Sequence, residues 1–148
     1  MYKPARDEYV LLALGKLRRA YYQSFVSFCD KTSLTQTELR ILLFLYNNPT
    51  QNRAADIAEA KWISKSNVST AVNTMVNNGL LVRNPDPASR RTIRLAITDE
   101  GLVLAREAAE HQKAFFCRIL HDVDMSAIEG ILCKIAANID SAGFDKKA

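Results

Sequence analysis

Ser64-Lys65-Ser66-Asn67-Val68-Ser69-Thr70-Ala71-Val72-Asn73-Thr74-Met75-Val76-Asn77-Asn78-Gly79 is the segment on which the fold turns. Val68, Ala71, Val72, Met75 and Val76 recur at i, i+3, i+4, i+7 and i+8, the spacing of an amphipathic helix. Ser64 is placed to cap it, Ile63 and Val68 form a staple pair, and Gly79 suits the left-handed position that ends it. The opposite face is Lys65, Ser66, Asn67, Ser69, Thr70, Asn73, Thr74 and Asn77, with no Asp or Glu. An ordinary solvent face mixes Glu with Lys, which favour helix and pair their charges. Ser, Thr and Asn cost helix propensity, so their concentration here points to hydrogen bonding with a partner.

Working outward, Leu80-Leu81-Val82-Arg83 reads as a strand, and Asn84-Pro85-Asp86-Pro87-Ala88-Ser89 as a turn-rich loop. Thr92 to Ile97 alternates, with Ile93, Leu95 and Ile97 on one face. A two-stranded hairpin is marginal alone, so it must lean on neighbouring helices. Upstream, a short helix is expected from Arg53 to Ala60 with Ala54, Ile57 and Ala58 inward. Before it, Thr35-Gln36-Thr37-Glu38 is a capping box, with Leu34 placed to staple onto Leu39. The body Leu39 to Tyr46 is apolar almost all round and should be buried; Asn47-Asn48-Pro49 ends it. Together these elements make a winged helix-turn-helix over residues 34–98.

Helices flank it. Val10, Leu14, Leu17, Tyr21, Phe25 and Phe28 predict one long helix from about residue 7 to 29. Thr98-Asp99 opens another that runs to about Leu120. The last begins near Asp124 to Ser126, where Ser126 and Glu129 can form a capping box; its stripe is Ile128, Ile131, Leu132, Ile135 and Ile139. The expected fold class is mainly α with a small β-hairpin wing, in a single protomer of residues 1–148. The winged domain covers little of the flanking apolar surface, so residues 7–30 and 99–143 are expected to be dimerisation helices.

Composition narrows the function classes. The chain has 148 residues, 48% hydrophobic and 24% charged, with a formal net charge of +4, which suits one globular protomer rather than a disordered chain. The apolar runs Val10–Leu14 and Ile41–Tyr46 are far short of the roughly 20 residues a membrane span needs. Met1-Tyr2-Lys3-Pro4 leads into Arg6-Asp7-Glu8 without a signal-peptide pattern, so no membrane partner and a cytoplasmic location are expected. Cys29, Cys117 and Cys133 form no Cys-x-x-Cys pair and are expected to be buried, reduced thiols.

The charge is unevenly spread. Residues 61–94 hold Lys61, Lys65, Arg83, Arg90, Arg91 and Arg94 against Asp86 alone, a local balance of +5, whereas residues 95–148 are net acidic. A helix fits the major groove of duplex DNA, where each base pair shows a distinct donor and acceptor pattern. Ser66, Asn67, Ser69, Thr70 and Asn73 lie toward the first turns of the polar face, the part that reaches base edges in this type of docking. Lys65 and Thr74 complete the candidate DNA-binding face, and Asn67 and Asn73 could each read an adenine edge. Arg90 and Arg91 could enter a narrow minor groove, while Arg83 and Arg94 could equally pair with acidic side chains.

No serine elbow, phosphate-cradling glycine loop or His-Glu-x-x-His occurs, so no catalytic residues and no cofactor are expected. His111, Cys117, His121, Asp122 and Asp124 form no recognised ligand motif, and no metal site is expected. Arg18, Tyr21, Tyr22, Phe25, His111 and Phe115 could line a pocket for a small aromatic or phenolic effector, or could simply pack in the core.

From Leu34 to Gly101 the chain resembles the MarR family of transcriptional regulators. The resemblance rests on Asp56-Ile57-Ala58-Glu59, Ser64 to Ser69, Asn78-Gly79-Leu80-Leu81 and Arg83-Asn84-Pro85-Asp86-Pro87-Ala88-Ser89-Arg90-Arg91. It continues through Leu95-Ala96-Ile97-Thr98-Asp99-Glu100-Gly101. It implies a homodimer with interlocked terminal helices, binding double-stranded DNA at a pseudo-palindromic operator as a repressor relieved by a small molecule or other signal. Three departures stand out. Ser89 occupies the place of a wing Asp two residues before Arg91. Thr70 and Thr74 stand where Arg or Lys is common, which shifts phosphate contacts toward Lys61, Lys65 and the wing. Lys61-Trp62 replaces a small turn residue, with Trp62 expected to pack against the domain edge. The competing reading is a winged-helix protein-interaction module whose basic stretch is an ordinary solvated face.

Overall fold

A computed structural model describes residues 5–61 and 63–144. Trp62, and with it the expectation that it packs on the domain edge, lies outside the described residues. The element order is α1 (Arg6–Ser24), α2 (Val26–Thr32), α3 (Gln36–Asn47), α4 (Ala54–Lys61), α5 (Lys65–Asn77), β1 (Leu81–Asp86), β2 (Ser89–Ile97), α6 (Asp99–Ile119) and α7 (Met125–Ala142). Two compact units divide the chain, one running through Phe115 and the other beginning at Phe116.

In the first unit, the single helix expected over residues 7–29 is two. Phe25 closes α1 and precedes α2, its amide bonding back to Tyr22 at 3.2 Å, a tighter i−3 bond. Ser24 contributes by donating its hydroxyl to the Tyr21 carbonyl at 2.7 Å, and the fully buried Phe25 ring anchors the break. An apolar spacing of three and four carries over such a break because the buried face is continuous. The second helix reaches Thr32 and stops at Ser33, which is left-handed at φ 58°.

The capping box on α3 is present in both halves. Thr35 Oγ1 accepts from the Glu38 amide at 3.1 Å, and Glu38 Oε2 accepts from the Thr35 amide at 2.9 Å. That reciprocal pair explains why a carboxylate can be buried here. Leu34 and Leu39 are both buried, and Ile41–Leu45 are buried in succession, which makes α3 the central helix of the core. Ile57 and Ala58 of α4 face inward, but Ala54 is exposed because it stands at the first residue of the helix.

Val68, Ala71, Val72 and Met75 of α5 are buried, each of the larger ones contributing about 1.5–3 kcal/mol. Gly79 adopts φ 73°, and the Leu80 amide returns to the Met75 carbonyl at 2.9 Å, completing a left-handed helix end. The wing is longer than the sequence suggests. Asn84, Pro85 and Asp86 are strand, and the turn is only Pro87-Ala88. A two-stranded sheet is all edge, so a proline that cannot donate is tolerated there. Leu81 pairs with Ile97 and Pro85 with Ile93, but Asp86 pairs with Ser89, leaving Arg90, Arg91 and Thr92 opposite a break in register. Leu95 is buried and Ile97 partly so, whereas Ile93 is exposed because the hairpin has left the core by that point.

Thr98 joins the wing to α6. Its hydroxyl donates to the Gly79 carbonyl at 2.6 Å and accepts from the Gly101 amide at 3.0 Å. Gly101 lies against the Leu80 backbone, where no side chain fits.

In the second unit, α7 is capped by Asp124, whose Oδ1 accepts from the Ala127 amide at 3.3 Å. The box expected from Ser126 and Glu129 is displaced, because the helix starts two residues earlier. Ile131, Leu132, Ile135 and Ile139 are exposed, as are Leu11, Leu12 and Leu14 of α1 in the first unit.

Candidate nucleic-acid interface

Helix α5 presents its polar face intact. Lys65, Ser66, Asn67, Ser69, Thr70, Asn73, Thr74 and Asn77 are all exposed, while the apolar positions between them are buried or partly so. Ser64 Oγ accepts from the Asn67 amide at 3.2 Å and lies 3.2 Å from Ser66 Oγ, so Ser66 is partly engaged at the helix start. Thr74 donates to the Thr70 carbonyl at 3.2 Å. Among the described residues, the side chains of Lys65, Asn67, Ser69 and Thr70 have no hydrogen-bonding partner and point to solvent.

The basic side chains separate into two groups. Arg94 donates from Nε to Asp86 Oδ2 at 2.6 Å and from Nη1 to Asn52 Oδ1 at 2.9 Å. Arg53 pairs with Asp56 at 2.7 Å. The Ala88 amide, followed by Arg94, holds the Asp86 carboxyl below its ordinary 3.8, and Arg53 does the same for Asp56. These two arginines are neutralised within the domain. Arg90 and Arg91 are exposed and have no acidic partner among the described residues, so they and Lys65 add uncancelled positive charge to this surface.

Two expectations change. Lys61 is half-buried, with Nζ 5.7 Å from the centre of the Phe44 ring; burial, then the Arg40 charge, lowers its pKa. It is poorly placed to meet a phosphate. Asn73 is not a free amide: Arg83, reaching from β1, donates through Nη2 to Asn73 Oδ1. Asn52 is a residue the sequence reading missed. Its carbonyl accepts from the Leu95 amide at 2.8 Å and its side chain from Arg94, so it ties the segment before α4 to the wing. A contact between residues 42 positions apart has no local pattern that could signal it.

Five of the six effector candidates are gathered into one packed cluster. The Tyr21 ring meets Tyr22, Phe25 and Phe115 edge-on at 5.2–5.5 Å between centroids, and His111 lies 4.4 Å from Phe25. Gln112 donates to the Tyr21 hydroxyl at 2.9 Å, and His111 Nε2 stands 3.3 Å from Ser24 Oγ. Ser24 already spends its proton on Tyr21, so His111 is the donor in that contact. Arg18 lies apart, on the exposed face of α1. A cleft of about 330 Å³ occurs elsewhere, lined by Leu45, Tyr46, Pro49, Asn52, Leu95, Ala96, Ile97 and Leu102, and shares none of these six residues.

The thiols differ from expectation. Cys29 is buried, and burial raises its pKa, but Cys117 and Cys133 are exposed. Phe116 and Leu132 precede them, but Arg118 and Lys134 follow, and α7 has no buried residue in the single chain. Among the described residues, no group of three or more His, Cys, Asp or Glu could hold a metal, and no helix is long and apolar enough to cross a membrane.

Comparison with known proteins agrees with this geometry. Residues 32–92 match the family model described as MarR family. A protein of Thauera aromatica assigned as the transcriptional regulatory protein for the hcr operon is 29% identical over 150 residues, covering 90% of this chain and 89% of its own. A MarR protein from Peptoclostridium difficile shares the fold at a TM-score of 0.80 and 17% identity, over 99% of this chain and 97% of that one. The MepR protein of S. aureus, solved as a complex with DNA, does so at 0.71 and 14% identity, over 93% and 96%.

Proposed function

We propose that the chain, whose residues 32–92 match the MarR family model, is a MarR-type sequence-specific DNA-binding transcriptional regulator acting as a homodimer. The observation that carries this reading is the α5 face, free of acidic side chains, flanked by the unneutralised Arg90 and Arg91 of the wing. In the proposed complex α5 lies in a major groove, where Asn67, Ser69 and Thr70 meet base edges while Lys65 contacts phosphate. Arg90 and Arg91 reach the adjacent minor groove. The MepR structure shows a protein of this fold bound to DNA, which supports the docking.

The exposed apolar residues of α1 and α7 are the surfaces that a second copy would cover, consistent with residues 7–30 and 99–143 as dimerisation helices. A two-fold dimer would set two α5 helices about 34 Å apart, one turn of DNA, and so read a pseudo-palindrome. The regulator is proposed to act as a repressor in the cytoplasm, released by a small aromatic or phenolic effector or another signal. Arg18, Tyr21, Tyr22, Phe25, His111 and Phe115 are the side chains proposed to respond; five of them already form one cluster. No catalytic role is proposed.

Fluorescence anisotropy with duplexes from the gene's own upstream region tests the reading. Tight binding to one such duplex, and binding at least about a thousandfold weaker to random sequence at physiological salt, is the expected result. Equal affinity for both would overturn sequence-specific regulation and favour the protein-interaction module.

A further inference from the structure

Resting on the DNA-binding reading above, we infer that Arg83 and Asn73 form a joint donor surface that makes the α5 helix select guanine, not adenine, at the base facing Asn73. An asparagine amide offers one carbonyl acceptor and two N–H donors. Reading adenine bidentately uses both halves, accepting from N6 and donating to N7. Here the accepting half is already engaged: Arg83 Nη2 donates to Oδ1, and the donor is a guanidinium cation. A cation held against Oδ1 opposes the approach of another N–H donor, which is what the adenine N6 amino group would bring. The chemistry the pair offers outward is dominated by donors, Asn73 Nδ2 and the remaining guanidinium N–H groups. Guanine matches it, because N7 and O6 are both acceptors in the major groove.

The placement supports this role. Both side chains are exposed, Asn73 on the polar face of α5 and Arg83 on β1. Arg83 has no carboxylate partner among the described residues, in contrast to Arg53 and Arg94, so its charge is directed at the helix face rather than cancelled. The contact also connects the wing strand to the recognition face across ten positions of sequence. It makes Arg83 a specificity-determining residue without requiring that it be a phosphate contact.

The test is selection from a duplex pool with a randomised central segment, followed by sequencing, using the full chain as parent, Asn73→Ala, Arg83→Leu and Asn73→Asp. Asn73→Ala should flatten the preference at one position per half-site, and that position should be guanine in the parent. Arg83→Leu should turn the same position toward adenine, with a change in the guanine-to-adenine ratio of about tenfold or more. Asn73→Asp, which keeps a partner for Arg83, should reduce the guanine preference by deleting the Nδ2 donor and cancelling the Arg83 charge. Circular dichroism checks that each variant is folded. Adenine at that position in the parent, or a guanine preference undiminished in folded Arg83→Leu or Asn73→Asp, would overturn the inference while leaving the regulator reading intact. Enrichment of no sequence by the parent would sink both.

Discussion

Arg94 Nε donates to Asp86 Oδ2 at 2.6 Å, joining the two wing strands at the point where their register breaks. Asp86 Oδ1 accepts from the Ala88 amide at 2.8 Å, so one carboxylate holds both the turn and the opposite strand. Arg90 and Arg91 lie on the irregular stretch this carboxylate braces. Asp86→Ala should therefore lower DNA affinity several-fold with the salt slope unchanged, because the aim of the arginines is lost but no phosphate contact is removed. Anisotropy across a salt series checks this; parent-like affinity would show that the brace does not matter.

Removing the arginines themselves has a different signature. Arg90→Ala and Arg91→Ala should each weaken binding and reduce the slope of log affinity against log salt by about one unit per lost contact. If the double variant keeps the parent slope, the wing does not touch DNA.

Acid should loosen the same region. Asp86 and Asp56 both titrate below 3.8 in the folded chain, so the stabilisation they supply is complete above that value. It is lost as pH falls through their lower folded values, where protonation breaks the bonds to Ala88, Arg94 and Arg53. Melting followed from about pH 6 down to pH 2 should fall more steeply for the parent than for Asp86→Asn at the acid end. Parallel curves for the two proteins would contradict the assignment.

Gly101→Ala tests the joint between the wing and α6. The added methyl would overlap the Leu80 carbonyl and stand 2.9 Å from the Ile97 side chain, and backbone cannot yield as a flexible side chain can. Overpacking of this kind costs about 1–3 kcal/mol, readable as a lower midpoint in urea. An unchanged midpoint would mean that the joint is looser than its geometry.

The α7 stripe should govern assembly. Ile131 and Ile135 are 60% and 43% exposed in the single chain, so aspartate at both sites is tolerated by the monomer but would place unpaired carboxylates in a dimer interface. Ile131→Asp with Ile135→Asp should give a folded monomer whose DNA affinity collapses because the second half-site is lost. Sedimentation equilibrium showing a monomeric parent that still binds tightly would defeat the dimer.

Thiol accessibility provides a last check. Cys117 and Cys133 are exposed in the chain, while Cys29 is buried with its pKa raised first by burial and then by Asp30 and Glu38. In the Ile131→Asp, Ile135→Asp monomer, Cys117 and Cys133 should react promptly with a thiol reagent, and Cys29 only on unfolding. Rapid labelling of Cys29 in the folded chain would contradict its burial.

Local patterns were sufficient wherever neighbours in sequence set the conformation. The caps at Thr35 and Ser64, the left-handed Gly79 and the split of α5 into apolar and polar faces follow from residues within one or two turns of each other. The free arginines of the wing were legible for the same reason: Ser89, Arg90 and Arg91 are adjacent and offer no carboxylate. Folding decided what distance in sequence conceals. The break at Phe25 needed the ring's fully buried place in the core, since the periodicity of α1 and α2 runs through it. Extension of β1 through Pro85 depended on the hairpin having a free edge. Likewise, the exposure of Cys117 and Cys133 reflects that no described residue after Ala108 is buried within the single chain. Which arginine is neutralised and which is only held in place depended on Asp86 meeting Arg94 and Asn73 meeting Arg83, pairings made by side chains from different elements. Such contacts have no short-range signature, because they exist only once the chain has closed around its core.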